Sequence, residues 1–411
     1  MTIAPPLELG RPAPESAPEP RSLSRRRPRG FSKADLSLLV VSGLSAVCFT
    51  WFLFYQLTVF SGAAGFVITS ILAFLGIYYL ANRQLYGRMA AADRVIATLV
   101  TLGAVAVAVP LAMIIGFLVE RGYHLISWHF LTTDQRGVTQ LAPASTGGVS
   151  HAIVGTLEQV GLAVVMGAPA GVLTAIFLNE VGKKAGGNPG ALPEDASLFA
   201  RVSARRAQAL FLLARAIRVV ITAMSAIPSI VAGLFILVVI VLGLGYGLRG
   251  LAGSLALAIL LLPNICRTTE EVLKVVHGSL REASLALGAT EWRTVWSVVL
   301  PTARTGVVTA VLLGIARVVG ETAPLLLTIG SNSVMNPNPF AGQQESLPVF
   351  VYTYRGLSRQ ADIERAFAAG LVLVGLVLVL FVIARIVGNL RPGSLQQLLR
   401  RLHLAPKEAL S

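Results

Sequence analysis

The sequence is poor in charged residues and in cysteine. Only 13% of its 411 residues are charged, while 55% are hydrophobic, and soluble domains carry about 25% charged residues. This composition excludes an ordinary soluble globule and indicates a polytopic membrane protein. Both cysteines, Cys48 and Cys266, fall within apolar segments, so the sequence excludes a disulfide framework and a CxxC metal site.

The sequence also lacks the motifs of the common enzyme classes. It contains no P-loop of the form GxxxxGK[ST], so it cannot hydrolyse ATP through one. No catalytic triad is recognisable. His124, His129 and His151 are spaced by five and 22 residues, which fits no compact metal site, and we interpret them as surface histidines. We therefore predict a protein that is not an enzyme and binds no cofactor or metal.

Basic residues outnumber acidic ones by 34 to 20, which gives a formal net charge of +14. A strong positive charge can indicate nucleic-acid binding. Here, however, the Lys and Arg residues flank apolar runs, where they set the orientation of membrane spans. We predict no nucleic-acid partner.

Apolar segments close to 20 residues are long enough to cross a bilayer as helices. We predict eight such spans, at 36–60, 66–82, 95–119, 152–178, 219–242, 251–270, 306–328 and 365–387. The basic loops alternate with weakly charged ones, and the excess of positive charge then places both termini and the loop 271–304 in the cytoplasm. The predicted fold is an all-α transmembrane helical bundle in the cytoplasmic membrane.

The loop between the sixth and seventh spans contains a compact element at 279–300, here called the elbow. Ser279 and Glu282 form a capping box that predicts a helix starting at Leu280. Gly288 is expected to end that helix, and Thr290 to cap a second short one.

The second helix of the elbow has an apolar stripe. Trp292, Val295, Trp296 and Val299 recur with helical spacing and are predicted to share one face, as in a helix lying at a membrane interface. Pro301 is predicted to end this helix and begin the next span. From these residues alone, the elbow is either a rigid surface for a partner or an interfacial re-entry loop without one.

Four motifs in this order resemble the PstA family, the permease subunits of phosphate-specific ABC importers. They are PSIVAGLF at 228–235, RTTEEVLKVV at 267–276, SLREASLALGA at 279–289 and IARVVGETAPLL at 315–326. The resemblance covers about residues 146–388. It implies the type I ABC importer permease fold, which has six core spans.

The elbow carries the resemblance to the coupling motif EAA…G…LP of binding-protein-dependent importer permeases. In that family the short helix docks into a groove on the ATPase subunit. Carried over by position, the coupling residues are Glu282, Ala283, Ser284, Leu287, Gly288 and Ala289.

The resemblance also implies the partners. These are a second permease subunit of the PstC type, two ATPase subunits of the PstB type and an extracytoplasmic phosphate-binding protein of the PstS type. Inorganic phosphate and membrane lipid are the expected small-molecule contacts. The loops 120–150 and 329–363 are expected to help seat the binding protein.

The six-span family fold leaves the first two spans as an addition. We predict a basic tail at 1–35, an extra transmembrane hairpin at 36–92, the permease domain at 93–388 and a cytoplasmic tail at 389–411. The hairpin is expected to face lipid or a partner and to take no part in transport.

Two charged residues fall within the seventh predicted span. Arg317 lies near its middle, where a charge is costly, and Glu321 four residues later is expected on the same helical face. The two side chains either neutralise each other against the bundle or line the translocation path. The resemblance favours the path, because both belong to the motif at 315–326.

Arg267 lies near the end of the sixth span. It either snorkels to the interface or forms an inner cationic contact of the path. Arginine recognises the oxygens of phosphate well, but the same argument holds for sulfate and molybdate. The alternatives to a phosphate permease are therefore a permease for another oxyanion or an ATP-independent secondary transporter.

Overall fold

The computed structural model describes residues 33–57, 62–139, 141–184 and 198–389. Within these ranges the fold is all-α without strands, as predicted. Most of the predicted tails, 1–35 and 389–411, lie outside the described residues, although α1 already begins at Lys33.

Eight long helices form the framework of the described residues. They are α1 Lys33–Phe52, α2 Ala63–Tyr86, α3 Arg88–Gly122, α5 Ser150–Lys184, α6 Leu198–Ala226, α8 Gly250–Val275, α11 Leu300–Val319 and α14 Gln360–Asn389. Shorter helices lie between them: α4 Trp128–Thr132, α7 Ser229–Ile236, α9 Gly278–Ala286, α10 Glu291–Thr294, α12 Ala323–Thr328 and α13 Leu347–Arg355. Wider π-helical turns follow α1, α7 and α10.

Eight helices in the described ranges are long and apolar enough to span a membrane, the predicted number. Two predicted spans are nevertheless wrong in their bounds. The segment 219–242 is interrupted after Ala226, and the spanning helix there is Gln208–Ala226. The segment 306–328 is interrupted after Val319, and its helix extends back to Glu291.

The chain divides into two compact units, 1–112 and 113–411, with the division inside α3. In the smaller unit, α1 and α2 pack along each other, whereas α3 makes little close backbone approach to either. Their apolar side chains are mostly exposed, which suits helices surrounded by lipid.

In the larger unit, α8 is the most buried spanning helix and packs chiefly against α5 and α11. Gly171 of α5 and Gly314 of α11 both lie against Ile265 of α8. Small residues at such crossings let helices approach closely. The resulting van der Waals packing stabilises helix association within a bilayer, where the hydrophobic effect does not drive it. This core holds the two helix breaks in place.

Candidate functional site

Two interrupted helices meet in the larger unit. The α6 helix ends at Ala226, and α7 begins at Ser229 after Pro228. Likewise α11 ends at Val319 and α12 begins at Ala323. Pro228 has no N–H to continue the hydrogen bonding of α6, which explains the first break.

The short helices α7 and α12 pack directly against each other. Gly233 marks the contact, because a Cβ added there would lie 2.6 Å from the Cα of Pro324. Only a residue without a side chain allows this approach. The two breaks are thereby fixed side by side.

A cavity of about 180 Å³ opens at the breaks. Its walls come from the end of α6, the start of α7, the middle of α8 and the end of α11. The polar groups that line it are Ser225, Ser229, Asn264, Arg317 and Glu321. The N-terminal end of α7 also lies here, and such an end carries partial positive charge.

Arg317 and Glu321 both line this cavity, but the geometry predicted for them is wrong. Arg317 lies in the last turn of α11, and Glu321 lies beyond the helix end at Val319. The two therefore do not share a helical face. Among the described residues no ion pair joins them, so the alternative in which the two side chains neutralise each other is not observed. Arg317 is exposed to the cavity.

Arg267 is exposed and lies one turn beyond Asn264 on α8. Three residues advance the helix by about 4.5 Å, so Arg267 follows the cavity along the same face. The Nδ2 of Asn264 donates to the carbonyl of Leu260, which leaves its side-chain oxygen available on the cavity side. Arg267 remains a predicted contact of the path.

The elbow forms the two short helices that the sequence predicts. The first, α9, ends before Gly288, whose φ is +80°. The N–H of Ala289 donates to the carbonyl of Ser284, and the N–H of Gly288 to that of Leu285, which is a Schellman motif. The side chain of Thr290 accepts from the N–H of Arg293 and caps α10 as predicted.

The predicted capping box is wrong. The α9 helix begins at Gly278 with His277 as its N-cap, and no side chain caps it. Ser279 therefore lies inside the first turn. The start of α9 is fixed instead by a contact with the preceding helix, because Arg281 donates to the carbonyls of Leu273 and Val276 at the end of α8.

Arg281 also ties the elbow to α5. Its Nη2 lies 3.0 Å from Oε1 of Glu180. On the other side of α9, the hydroxyls of Ser284 and Thr294 are 2.9 Å apart. The α9 helix is therefore held to α5, α8 and α10 by side-chain hydrogen bonds.

The stripe predicted for the second elbow helix is split. Trp292 and Trp296 are exposed and in edge contact at 5.5 Å, whereas Val295 and Val299 are buried. The π-helical turn Val295–Val299 changes the register, so four residues do not stay on one face. Pro301 does not end the helix, because this wider turn accommodates its missing N–H, and the helix runs from Glu291 to Val319.

The six predicted coupling residues lie together on the elbow surface. Ser284 and Ala289 are half-buried, and the other four are exposed. Leu287 is 89% exposed, and Leu280 and Leu285 are also exposed. Beneath them lies an apolar cluster that includes Ile176, Leu273 and Val299. An exposed leucine surface on a rigid base is typical of a docking site.

A family model described as a binding-protein-dependent transport system inner membrane component matches residues 196–390. The chain is 36% identical over 270 residues to the phosphate transport system permease protein PstA of Mycobacterium leprae, covering 66% of this chain and 79% of that protein.

The chain belongs to the PstA family of permeases. It is also 32% identical to PstA of Yersinia pestis, over 65% of this chain and 84% of that protein. Among solved structures, it is similar to an inward-facing MetNI methionine ABC transporter, at 22% identity and a TM-score of 0.41, over 59% of this chain and 93% of that chain.

The family match contains both features described above for this PstA-family chain. Residues 196–390 include the cavity at the two breaks and the whole elbow, and they exclude α1, α2 and α3. The hairpin α1–α2 is therefore outside the matched region.

Away from the elbow, the PstA-family chain has a buried arginine near the start of α14. Arg365 is 2% exposed, and its Nη1 lies 2.9 Å from Oδ1 of Asp362. It also donates to the carbonyls of Pro143 and Thr146, at 2.7 and 3.2 Å. We call this set of contacts the Arg365 clamp.

The loops 120–150 and 329–363 are joined to each other. The N–H of Met335 donates to Asp134, which lowers the pKa of that carboxyl, and the N–H of Gln135 donates to the carbonyl of Ser333. These loops form one connected surface. It presents Trp128 and Phe340, which are exposed.

Glu345 is a buried carboxyl close to the same loops. Burial raises its pKa to about 7, although the hydroxyl of Ser331 and the N–H of Ser346 both donate to it. Its neighbour Gln344 donates to Glu158 of α5 at 2.6 Å. This polar group fixes the loop 329–346 onto α5.

The prediction for the histidines is correct for two of three. His124 and His129 are exposed, but His151 is buried against the edge of Phe350 at 5.7 Å. Among the residues that the structure describes, no group of three His, Cys, Asp or Glu side chains could hold a metal ion.

Four contributors to the site were missed by sequence reasoning. Ser225, Ser229 and Asn264 line the cavity, and Arg281 anchors the elbow to Glu180. Pro228 was the available signal for the two serines, since it breaks the helix between them. Nothing in the sequence indicated the pair Arg281–Glu180, whose members are 101 residues apart.

Proposed function

We propose that this chain is the membrane permease subunit that imports inorganic phosphate through the cavity at the two helix breaks. The observation that carries the proposal is Arg317, an exposed cation in that cavity, in a chain of the PstA family. A separate ATPase supplies the energy.

The cavity suits a tetrahedral oxyanion. The guanidinium of Arg317 offers several donors to phosphate oxygens, and the N-terminal end of α7 adds partial positive charge. Hydroxyls of Ser225 and Ser229 complete the polar wall. Interrupted helices whose ends point at an anion are a known design of membrane transporters.

Glu321 gives the cavity a negative group beside Arg317. No ion pair joins the two among the described residues, so in our proposal the guanidinium of Arg317 is available to phosphate when the anion enters. Arg267, one turn beyond Asn264 on α8, takes the anion next.

The elbow is the proposed contact with the ATPase subunits. Its exposed face carries Glu282, Ala283, Leu287 and Gly288, and its base is tied to α5 and α8 through Arg281. Movement of the ATPase is therefore transmitted to spanning helices. A second permease subunit of the PstC type completes the membrane part.

The opposite surface is proposed to seat the phosphate-binding protein. The joined loops 120–150 and 329–363 present exposed Trp128, Phe340 and Tyr352, and aromatic residues are enriched at protein interfaces. This assigns the elbow and both termini to the cytoplasm and the joined loops to the outside of the cytoplasmic membrane.

The test is uptake of labelled phosphate by proteoliposomes that contain this chain, its second permease and the ATPase, with the binding protein and ATP supplied. We expect uptake that requires both ATP and the ATPase, and that excess sulfate or molybdate does not inhibit. Uptake without the ATPase would identify a secondary transporter. Stronger uptake of another oxyanion would contradict phosphate as the substrate.

A matched pair of glycines tests the elbow separately. Gly288 has φ of +80° and Gly278 does not, and an added Cβ at either would meet nothing within 4 Å. Gly288→Ala therefore strains only the backbone, by about 1–2 kcal/mol, whereas Gly278→Ala should be harmless. We expect Gly288→Ala alone to reduce co-purification of the ATPase and ATP-driven uptake. Equal behaviour of both variants would contradict the docking role.

A further inference from the structure

The smaller unit contains a groove that the transport function does not use. It has a volume of about 430 Å³ and lies between the hairpin α1–α2 and the first turns of α3. Leu39, Phe74, Tyr78 and Leu102 form its apolar walls, and Asp35 and Arg94 stand at one end. We call it the hairpin groove.

Arg94 joins α3 to both helices of the hairpin at the polar end of the hairpin groove. Arg94 lies 2.8 Å from Oδ1 of Asp35 and donates to Oδ1 of Asn82 at 2.8 Å. Its guanidinium also stacks on the ring of Tyr86 at 3.9 Å. These contacts hold α3 to the hairpin at this end, so the groove is a stable feature of the unit.

In the deeper part of the hairpin groove the hydroxyl groups already have hydrogen-bond partners within the protein. From Arg94 to Leu102 the groove follows α3 for eight residues, about 12 Å. The hydroxyls of Thr98 and Thr101 donate to the carbonyls of Arg94 and Ala97 of their own helix, at 2.8 Å each. Their methyl groups remain for contact, so an apolar chain fits this part.

The surface at the polar end carries an excess of positive charge. Within the described residues near this end, Lys33, Arg83 and Arg88 are exposed, and Asp93 is the one exposed carboxylate. Neither Arg83 nor Arg88 has an ion-pair partner among the described residues. A group with a negative charge is therefore attracted to the end at which the apolar groove opens.

We propose that the hairpin groove binds one anionic phospholipid, with an acyl chain along Thr98 and Leu102 and its phosphate near Arg83 and Arg88. The all-round exposure of apolar side chains on α1, α2 and α3 places the groove in contact with lipid. The extra hairpin then serves as a lipid-binding element beside the permease. Charged headgroup and apolar groove together select the ligand.

The test uses full-length protein in detergent with equal amounts of phosphatidylglycerol and phosphatidylcholine, and native mass spectrometry of the retained lipid. We expect wild type to retain phosphatidylglycerol preferentially. Thr98→Trp fills the groove and should reduce retention roughly tenfold, and Thr98→Leu should reduce it less. Val100→Trp is the control, since Val100 is on the same helix, 67% exposed and outside the groove.

A second pair of variants separates charge from shape. Arg83→Gln with Arg88→Gln should abolish the preference for phosphatidylglycerol while leaving phosphatidylcholine binding unchanged. Wild type that retains both lipids equally would overturn the proposal. Equal retention by Thr98→Trp and Val100→Trp would also overturn it, because the retained lipid would then lie outside the groove.

Discussion

Two arginines of the larger unit contrast in their surroundings. Arg365 is buried, paired with Asp362 and surrounded by backbone carbonyls that accept from it. Arg317 is exposed to the cavity and has no ion-pair partner among the described residues. Both are arginines on long helices with an apolar spanning stretch, so residue type alone does not separate them.

The difference separates a guanidinium that stabilises the fold from one that is available to bind a ligand. A buried guanidinium with all its donors used fixes the loops that it touches, and it has nothing left to offer a ligand. An exposed guanidinium in a cavity still has N–H groups that can donate to a ligand. The Arg365 clamp should therefore affect folding, and the cavity should affect transport.

The largest effect is expected from breaking the clamp. Arg365→Met leaves Asp362 buried without its partner, which should lower the free energy of unfolding by about 3–5 kcal/mol. Thermal unfolding of the detergent-purified protein measures it, with Arg355→Met as the exposed control. The double variant with Asp362→Asn should recover part of the loss. A melting temperature equal to that of the control would break the comparison.

Glu345 extends the comparison to pH. Its pKa of about 7 in the folded state exceeds its ordinary value of 4.5, so between these pH values the folded state binds more protons than the unfolded state. Its contribution is most stabilising below pH 4.5, and it is lost as pH rises to about 7, by roughly 3 kcal/mol at most.

Glu345→Gln should remove this pH dependence. Thermal unfolding of wild type and variant between pH 5 and pH 8 measures the difference, and other titrating groups cancel between the two proteins. Curves that stay parallel across this range would contradict the raised pKa.

A smaller effect on free energy, but a specific one, is expected at the cavity. Arg317→Ala should reduce phosphate uptake roughly 10- to 100-fold, because a charge-assisted hydrogen bond contributes about 1.5–3 kcal/mol. Thermal stability and ATPase binding should stay unchanged. Leu313→Ala, exposed on the same helix and outside the cavity, is the control. If Arg317→Ala retained phosphate uptake but lost thermal stability, Arg317 would have a structural role, as Arg365 does.

Local signals in the sequence predicted the elbow well. Gly288 and Thr290 act as expected, because a left-handed C-terminal glycine and an N-cap hydroxyl depend on a few neighbouring residues. The capping box predicted from Ser279 is wrong, since the start of α9 depends on hydrogen bonds from Arg281 to the end of α8. That contact is tertiary and has no local pattern.

The cavity was less accessible to sequence reasoning. By hydropathy, the segments 219–242 and 306–328 are continuous apolar runs, because a break between two apolar helices does not change the composition of the sequence. Consequently Arg317 and Glu321 were placed on one face of a helix that ends at Val319. The residue types were predicted, and their geometry required the packing of Gly233 on Pro324.

The uninterrupted helix from Glu291 to Val319 joins the elbow to the cavity. From Glu291 to Arg317 it advances 26 residues, about 39 Å. If this helix tilts as a rigid rod, a tilt of about 5° at the elbow end displaces the guanidinium of Arg317 by about 3 Å. That distance matches the length of one hydrogen bond, so on the proposed function a small rotation would suffice to form or break the contact between Arg317 and the anion.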